Sequence, residues 1–422
     1  MAREVAARAA DPGRISAALA AARSQSRFPQ SLSWEPYWVG AGDAGLAVFC
    51  AQLDACLPGD GWDEAGHGFL AAAVRGAERA SPLPVGLFGG LSGVAFAAAS
   101  LSRGGERYRR LLAALDAELA PGAAGLGARL RERREPGGVS EFDVISGASG
   151  LGAYLLRRDP HGVLPEVLGG LVSLAKPLDG PPRWMTPPQQ LDDESMARWY
   201  PWGNLNCGLA HGIPGPLALL ALALRRGVEV PGQAEAVRRL ADWLAGHSAG
   251  DQWGVNWPTA VPLSPAGEPD PGRTGLGPSR SAWCYGSPGV ARALWLAGEA
   301  LEDAGLRDLA VETVRAVLRR PVPDRHIDSP TFCHGVAGLL QIVLRFAHDT
   351  GSADLAAGAA GLTDQLLAAY EPDRPLGYAA LEPGSNPVDR AGLLDGAPGV
   401  AVTLFAAATD VEPAWDRLFL LS

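Results

Sequence analysis

Lysine is almost missing from this 422-residue chain: of 36 basic residues only Lys176 is lysine, and the formal net charge is −10. There is no dense basic run either, which excludes a general nucleic-acid binder. Long apolar runs are also missing. The longest, residues 217–224, is far too short to span a bilayer. Residues 1–27 lack the apolar core of a secretion signal and read instead as a short amphipathic helix. These absences predict a soluble, cytoplasmic chain. The 5 cysteines are an odd number without framework spacing, which suits reduced thiols or metal ligands better than disulfides. No strong apolar–polar alternation marks a strand, so a sheet protein is not expected. Abundant alanine and glycine, with arginine in place of lysine, match a high-GC genome and carry little further information.

What is present is a repeat. Seven Gly-x-x-Gly units begin at Gly42, Gly90, Gly147, Gly212, Gly286, Gly335 and Gly396, at intervals of 48 to 74 residues, and each opens an Ala/Leu-rich stretch. After Gly335, Val336, Leu339, Leu340, Val343 and Leu344 fall at i, i+3, i+4, i+7 and i+8, the period of a helix face. These stretches read as inner helices. The more charged stretches between them, such as QAEAVRRLADWLAG at 233–246, read as outer, half-exposed helices. Pro214, Pro288 and Pro398 sit where a first helical turn tolerates a missing N–H. The glycines are expected to let inner helices crowd together at one end. Seven hairpins of this kind predict an all-α fold, an α/α toroid, as one domain over residues 1–422, with an open solenoid as the alternative. Two connections are long: 177–205, with Trp184, Trp199, Tyr200 and Trp202, and 250–282, with Trp253 and Trp257. They form either a small accessory region over the mouth of the ring or insertions held down by their tryptophans.

Aligning the units on their first glycine sorts the chemistry into columns. One residue earlier stand Ala41, Gly89, Ser146, His211, Tyr285, His334 and Asp395; two earlier stand Gly40, Phe88, Ile145, Ala210, Cys284, Cys333 and Leu394. Two cysteines share one column in adjacent repeats and two histidines share the next, all at the starts of inner helices. Cys284, Cys333 and His334 therefore form a candidate metal set. Two thiolates and an imidazole suit Zn2+, and three protein ligands leave one position open, as in catalytic sites. The competing reading makes the cysteines small buried hydrophobes. His211 is a fourth ligand, a general acid/base or a packed core histidine; acid/base is favoured, because a fourth ligand would close the site. Asp143 is an orienting carboxylate or a helix cap, and the residues alone favour the cap. Arg280 and Tyr285 flank Cys284, where a cation could neutralise an oxyanion; otherwise Arg280 is a surface arginine. Cys50, Cys56 and Cys207 fall outside the metal column and read as packing. Asp395 reads as a helix cap. His67, His161, His247, His326 and His348 have no such register.

Five segments carry a family likeness: FDVISGASG (142–150), NLNCGLAHGIPG (204–215), RSAWCYGSPGV (280–290), TFCHGVAG (331–338) and GLLDGAPGV (392–400). Trp-Cys-Tyr-Gly followed by Cys-His-Gly is the most specific part. Over nearly its whole length the chain resembles the lanthipeptide cyclase family, LanC type. The resemblance implies an α/α toroid with one catalytic Zn2+ held by Cys284, Cys333 and His334. It implies acid/base or orienting roles for His211 and Asp143, and it places Arg280 and Tyr285 at matching active-site positions.

The implied reaction is lanthionine and methyllanthionine ring formation, in which peptide cysteine thiolates add to dehydroalanine and dehydrobutyrine. The implied partners are a dehydrated precursor peptide with its leader, and a dehydratase and transporter that would bring the enzyme to a membrane. No dehydratase region is expected within this chain, and the oligomeric state is open. Two other readings compete. One is addition of a free thiol such as glutathione to dehydroamino acids. The other is a toroidal scaffold without chemistry, against which the intact Cys/Cys/His column counts. A prenyltransferase, also a thiol-activating zinc toroid, fits the Cys-His-Gly pattern poorly.

Overall fold

The computed structural model describes residues 1–159, 161–177, 180–191, 194–273, 275 and 279–422. Helices α1 (Ala2–Ala9) and α2 (Pro12–Gln25) are followed by helical pairs: α3 and α4 (Asp43–Cys56, Trp62–Ala80), α5 and α6 (Leu91–Ser100, Arg109–Glu132), and α7 and α8 (Ala148–Arg158, Leu164–Leu174). The short α9 (Glu194–Trp199) lies in the first long connection. Then come α10 and α11 (Pro214–Arg225, Gln233–Gly246), α12 and α13 (Ser287–Ala300, Ala304–Arg319), α14 and α15 (Val336–Thr350, Ala353–Ala368), and finally α16 (Ala397–Ala408).

The first helix of each pair, and α16, starts inside a Gly-x-x-Gly unit and is buried almost all round. In α10 every residue from Pro214 to Ala223 is buried. The second helix of each pair buries only a stripe. Leu112, Leu115, Leu119, Ala123, Leu126 and Leu130 recur every three or four residues in α6 and are buried, while Arg109, Arg110, Glu118, Arg129 and Arg131 are exposed. Among the described residues α6 is the one helix long and apolar enough, by length and composition, to cross a membrane. Its stripe is that of an outer helix. The inner and outer assignments read from the sequence thus hold.

Two compact units can be distinguished. One comprises Met1–Pro84, Phe88–Ala117 and Ile327–Asp416; the other comprises Val85–Leu87, Glu118–His326 and Arg417–Ser422. In the first, α16 packs on α14 and on α3, and α3 packs on α5. The last repeat therefore lies beside the first, a contact that an open solenoid lacks. α1 packs along α16, so the chain start supplies the outer partner for the final inner helix. Arg8 fixes it there by donating to the carbonyls of Pro372 and Arg374 at 2.8 and 3.0 Å. In the second unit α10 packs on α7 and on α12, and each has its own outer helix.

Among the described residues six strands of three residues each occur: β1 (Asn204–Asn206), β2 (Ala249–Asp251), β3 (Gly254–Asn256), β4 (Ala260–Pro262), β5 (Ala380–Glu382) and β6 (Asn386–Val388). They pair antiparallel as β1 with β4, β2 with β3 and β5 with β6. The β1–β4 pair, with Leu205 opposite Val261, ties the end of one long connection to the middle of the other. Tryptophans hold both connections on α11. Trp184 meets Trp243 edge-on at 5.7 Å, and Trp257 Nε1 donates to the Leu244 carbonyl at 2.8 Å. Trp199 and Trp202 stay exposed. Residues 178–179, 192–193, 274 and 276–278 of these connections lie outside the described residues.

Candidate active site

The columns have a physical basis in the loops that lead into the inner helices. Three residues before the first glycine of each unit stand Val39, Leu87, Val144, Leu209, Trp283, Phe332 and Leu393, each at most 1% exposed. This apolar anchor fixes the depth of the loop. The next residue is held by its backbone. In the second unit Ala210 N donates to the Cys284 carbonyl at 3.3 Å, and Val144 N to the Ala210 carbonyl at 3.0 Å. In the first, Cys333 N donates to the Leu394 carbonyl and Leu394 N to the Gly40 carbonyl, both at 3.0 Å. With anchor and ladder set, the residue just before each glycine is left half-buried or exposed, and these are the positions of His211, Tyr285, His334 and Asp395.

The glycines serve this loop as well as the crowding of helix starts expected from the sequence: a Cβ on Gly289 or Gly399 would also come within 2.9 Å of Leu209 Cβ or 3.2 Å of Phe332 Cβ, in the neighbouring repeat. A Cβ on Gly212, Gly286, Gly335 or Gly396 would run into the carbonyl oxygen six residues earlier, of Asn206, Arg280, Ser329 and Arg390 respectively. The second glycine of a unit meets the same obstacle: Gly289 against Trp283, Gly399 against Leu393. The loop folds back on the helix it starts. Gly286 also has φ +126°, a conformation that side chains rarely adopt.

In the second unit the sequence-predicted acid/base residues come together. Asp143 is buried, its side chain 2% exposed, and its two oxygens do different work. Oδ1 accepts from the backbone N–H groups of Ser146 and Gly147 at 2.7 and 2.8 Å, fixing the turn before α7. Oδ2 lies 2.7 Å from His211 Nδ1. Asp143 is thus not a cap of α7, which has no side-chain cap bond: one oxygen fixes the turn before the helix and the other faces His211. A carboxylate oxygen facing Nδ1 favours the tautomer with its N–H at that nitrogen. The His211 side chain is 35% exposed, so it is reachable. Tyr285 lies beside it, with ring centroids 6.2 Å apart.

Asn206 was missed by the sequence reading. Its Nδ2 donates to Tyr285 Oη at 3.2 Å while its Oδ1 accepts from Gly208 N at 2.9 Å. The signal was there: Asn206 stands six before Gly212, the same offset as Arg280 from Gly286. Arg280 itself has an exposed side chain, four residues before Cys284.

The metal-column residues are anchored in parallel ways. Before Cys284, Trp283 is buried, donates through Nε1 to the Phe419 carbonyl at 3.0 Å and packs edge-on against the Phe419 ring at 5.0 Å. Before Cys333, Phe332 packs against Trp415 at 5.3 Å. Cys284 is buried; Cys333 and His334 are half-buried. Among the described residues Cys284, Cys333 and His334 are the group of His, Cys, Asp or Glu side chains that could hold a metal ion. The other cysteines behave as packing. Burial pushes the Cys207 thiol up to about 12 and the Cys50 thiol higher still, which makes both inert as thiolates. Cys56 sits near Gln52 and Thr409. Asp395 does not act as the helix cap expected of it: its Oδ1 has no hydrogen-bond partner and its Oδ2 faces Arg390.

The family model described as Lanthionine synthetase C-like protein matches residues 33–420. The chain is 27% identical over 270 residues to the nisin biosynthesis protein NisC of Lactococcus lactis subsp. lactis, a stretch covering 62% of each protein. The match thus spans about three fifths of the length of that curated relative. A solved structure of nisin cyclase superimposes with a TM-score of 0.76 at 21% identity, covering 96% of this chain and 97% of that one. This likeness shows the fold, the all-α toroid class that the repeats predicted.

Proposed function

Because this chain belongs to the lanthionine synthetase C-like family, we propose that it closes thioether rings in a dehydrated precursor peptide. The observation that carries the reading is His211, held through Nδ1 by a buried carboxylate, in the same column as His334 and next to the column of Cys284 and Cys333, each at the start of an inner helix.

The donor set fits zinc. Two sulfurs and one imidazole are its preferred ligands, and three of them leave a position for a substrate thiol. Cys284, Cys333 and His334 would hold the ion. When bound, zinc supplies the acidity that lowers a thiol's pKa into the neutral range.

The chain's own residues then manage charge and protons. As the peptide sulfur bonds to the β-carbon of a dehydroalanine or dehydrobutyrine, the π electrons move toward the neighbouring carbonyl and an enolate forms. Arg280, and Tyr285 steadied by Asn206, offer a cation and a hydroxyl to that oxygen. His211 Nε2 takes up the proton that leaves the thiol and delivers it to the α-carbon, while Asp143 Oδ2 keeps the Nδ1–H and balances the transient imidazolium. One proton leaves the thiol and one arrives at carbon, so the histidine returns to its starting state. The product has the mass of the substrate. Docking to a dehydratase and a transporter rests on the family resemblance alone.

The test is to incubate the purified chain with a dehydrated, cysteine-containing peptide, with and without glutathione. The expected result is loss of alkylatable thiols at unchanged mass. Addition of a glutathione mass without loss of peptide thiols would overturn the cyclase reading in favour of intermolecular thiol addition. No reaction and no bound metal would favour a scaffold.

A further inference from the structure

We propose that Asp395 is a positioning residue for His334: its carboxylate takes the Nδ1–H of that imidazole and so presents Nε2 to the metal. The inference rests on the metal-centre reading above and deepens it.

Both residues belong to the first unit. Their loops are bolted together one residue before the two side chains, where Cys333 N donates to the Leu394 carbonyl at 3.0 Å. From that shared base Asp395 Oδ1 stands 3.9 Å from His334 Nδ1, with the two side chains 30% and 34% exposed. That oxygen is itself shielded from solvent and has no hydrogen-bond partner. A shielded carboxylate oxygen without a donor is costly, and a ring N–H is the donor it faces. The separation is about 1 Å longer than a hydrogen bond, which a small rotation of either side chain closes. The other carboxylate oxygen faces Arg390 Nη1 at 4.0 Å, and Arg390 in turn pairs with Glu382 at 3.4 Å. The carboxylate is thus backed by a cation on one side and open toward the histidine on the other.

The alternative reading, a cap for α16, fails because Oδ1 has no hydrogen-bond partner and Oδ2 faces Arg390. A direct metal ligand is also disfavoured, since Asp395 is not part of the group that could hold the ion. What remains is the role that carboxylates commonly play behind a metal-binding imidazole: fixing which nitrogen carries the proton and which way the ring points.

The test uses the full-length protein stripped of metal. Zinc affinity is read by competition with a chromogenic chelator, and cobalt substitution gives the ligand-field spectrum. The isosteric Asp395→Asn should weaken zinc binding about 10- to 100-fold and shift the cobalt bands. Asp395→Glu, one methylene longer across the 3.9 Å gap, should recover most of the affinity. Far-UV circular dichroism of the apo proteins checks that each variant folds. Unchanged affinity and spectrum in Asp395→Asn would overturn the proposal, and so would a Glu variant as weak as the Asn one. A wild-type protein that takes up no zinc would instead overturn the metal-centre reading on which this one stands.

Discussion

Two histidines hold the same place in their repeats, and the structure treats them differently. His211 and His334 each sit one residue before the first glycine of a unit, on a loop anchored by a buried apolar residue two positions earlier. Each faces a carboxylate through Nδ1. The carboxylate of His211 comes from the preceding repeat, is fully buried, is pinned by two backbone N–H groups, and lies at 2.7 Å. The carboxylate of His334 comes from the following repeat, is part-exposed, has an oxygen without a partner, and stands at 3.9 Å. One pair is within hydrogen-bond distance; the other stands about 1 Å outside it. A group that must shuttle a proton profits from a fixed, balanced orientation. A ligand that closes on an ion profits from a partner that tightens when the ion arrives. On the proposed reading the same column would carry two chemistries, set by where the neighbouring acid comes from.

The sharpest way to break this comparison is at the cysteine beside His334. Cys333→Ala should lose zinc and cyclisation together, while Cys207→Ala, at a buried thiol outside the column, should keep both; metal content and product mass are the readouts. Next in size, His211→Asn should keep one zinc per chain and slow turnover on the order of 10²- to 10⁴-fold, measured in single-turnover cyclisation. Asp143→Asn should follow at about 10- to 100-fold in rate with zinc retained, because the amide no longer favours an N–H at Nδ1. Asp143→Ala should in addition cost about 1–3 kcal/mol in denaturant unfolding, since the buried Gly147 N–H and the part-buried Ser146 N–H lose their acceptor.

A smaller effect sharpens the picture of the column itself at another helix start. Burial raises the Asp43 carboxyl to about 6, well above its unfolded value, so its neutral form is favoured in the folded chain. Stability from this group is present below about pH 4 and lost as pH rises toward 6. Asp43→Asn should therefore leave the melting temperature unchanged near pH 4 and raise it by roughly 1–2 °C above pH 6.

Much of this was legible in the sequence because the repeat makes residue offsets equivalent. The seven glycine units placed every inner helix start, and the register alone gathered Cys284, Cys333 and His334. What stayed illegible depends on contacts that the offsets do not encode. Asn206 acts on Tyr285 only because the loop before α10 folds back beside α12. Asp395 looked like a cap because a carboxylate before a helix usually is one, and Leu394 beside it offers no ligand. The partnership of α1 with α16 joins the two ends of the chain, and no local pattern announces it. Three-residue strands such as β1 and β4 are too short for alternation to show. Half of the glycines' role stayed hidden for the same reason: besides the neighbouring helix start, their obstacle is a carbonyl of their own loop, which appears only once the loop is folded.

The central claim is that these two histidines have divided metal binding from proton transfer. The most direct measurement is zinc stoichiometry, by plasma mass spectrometry, in purified His211→Asn and His334→Asn proteins side by side. The account predicts one zinc per chain in the first and a marked loss in the second. Loss of zinc from His211→Asn, with full retention in His334→Asn, would contradict it.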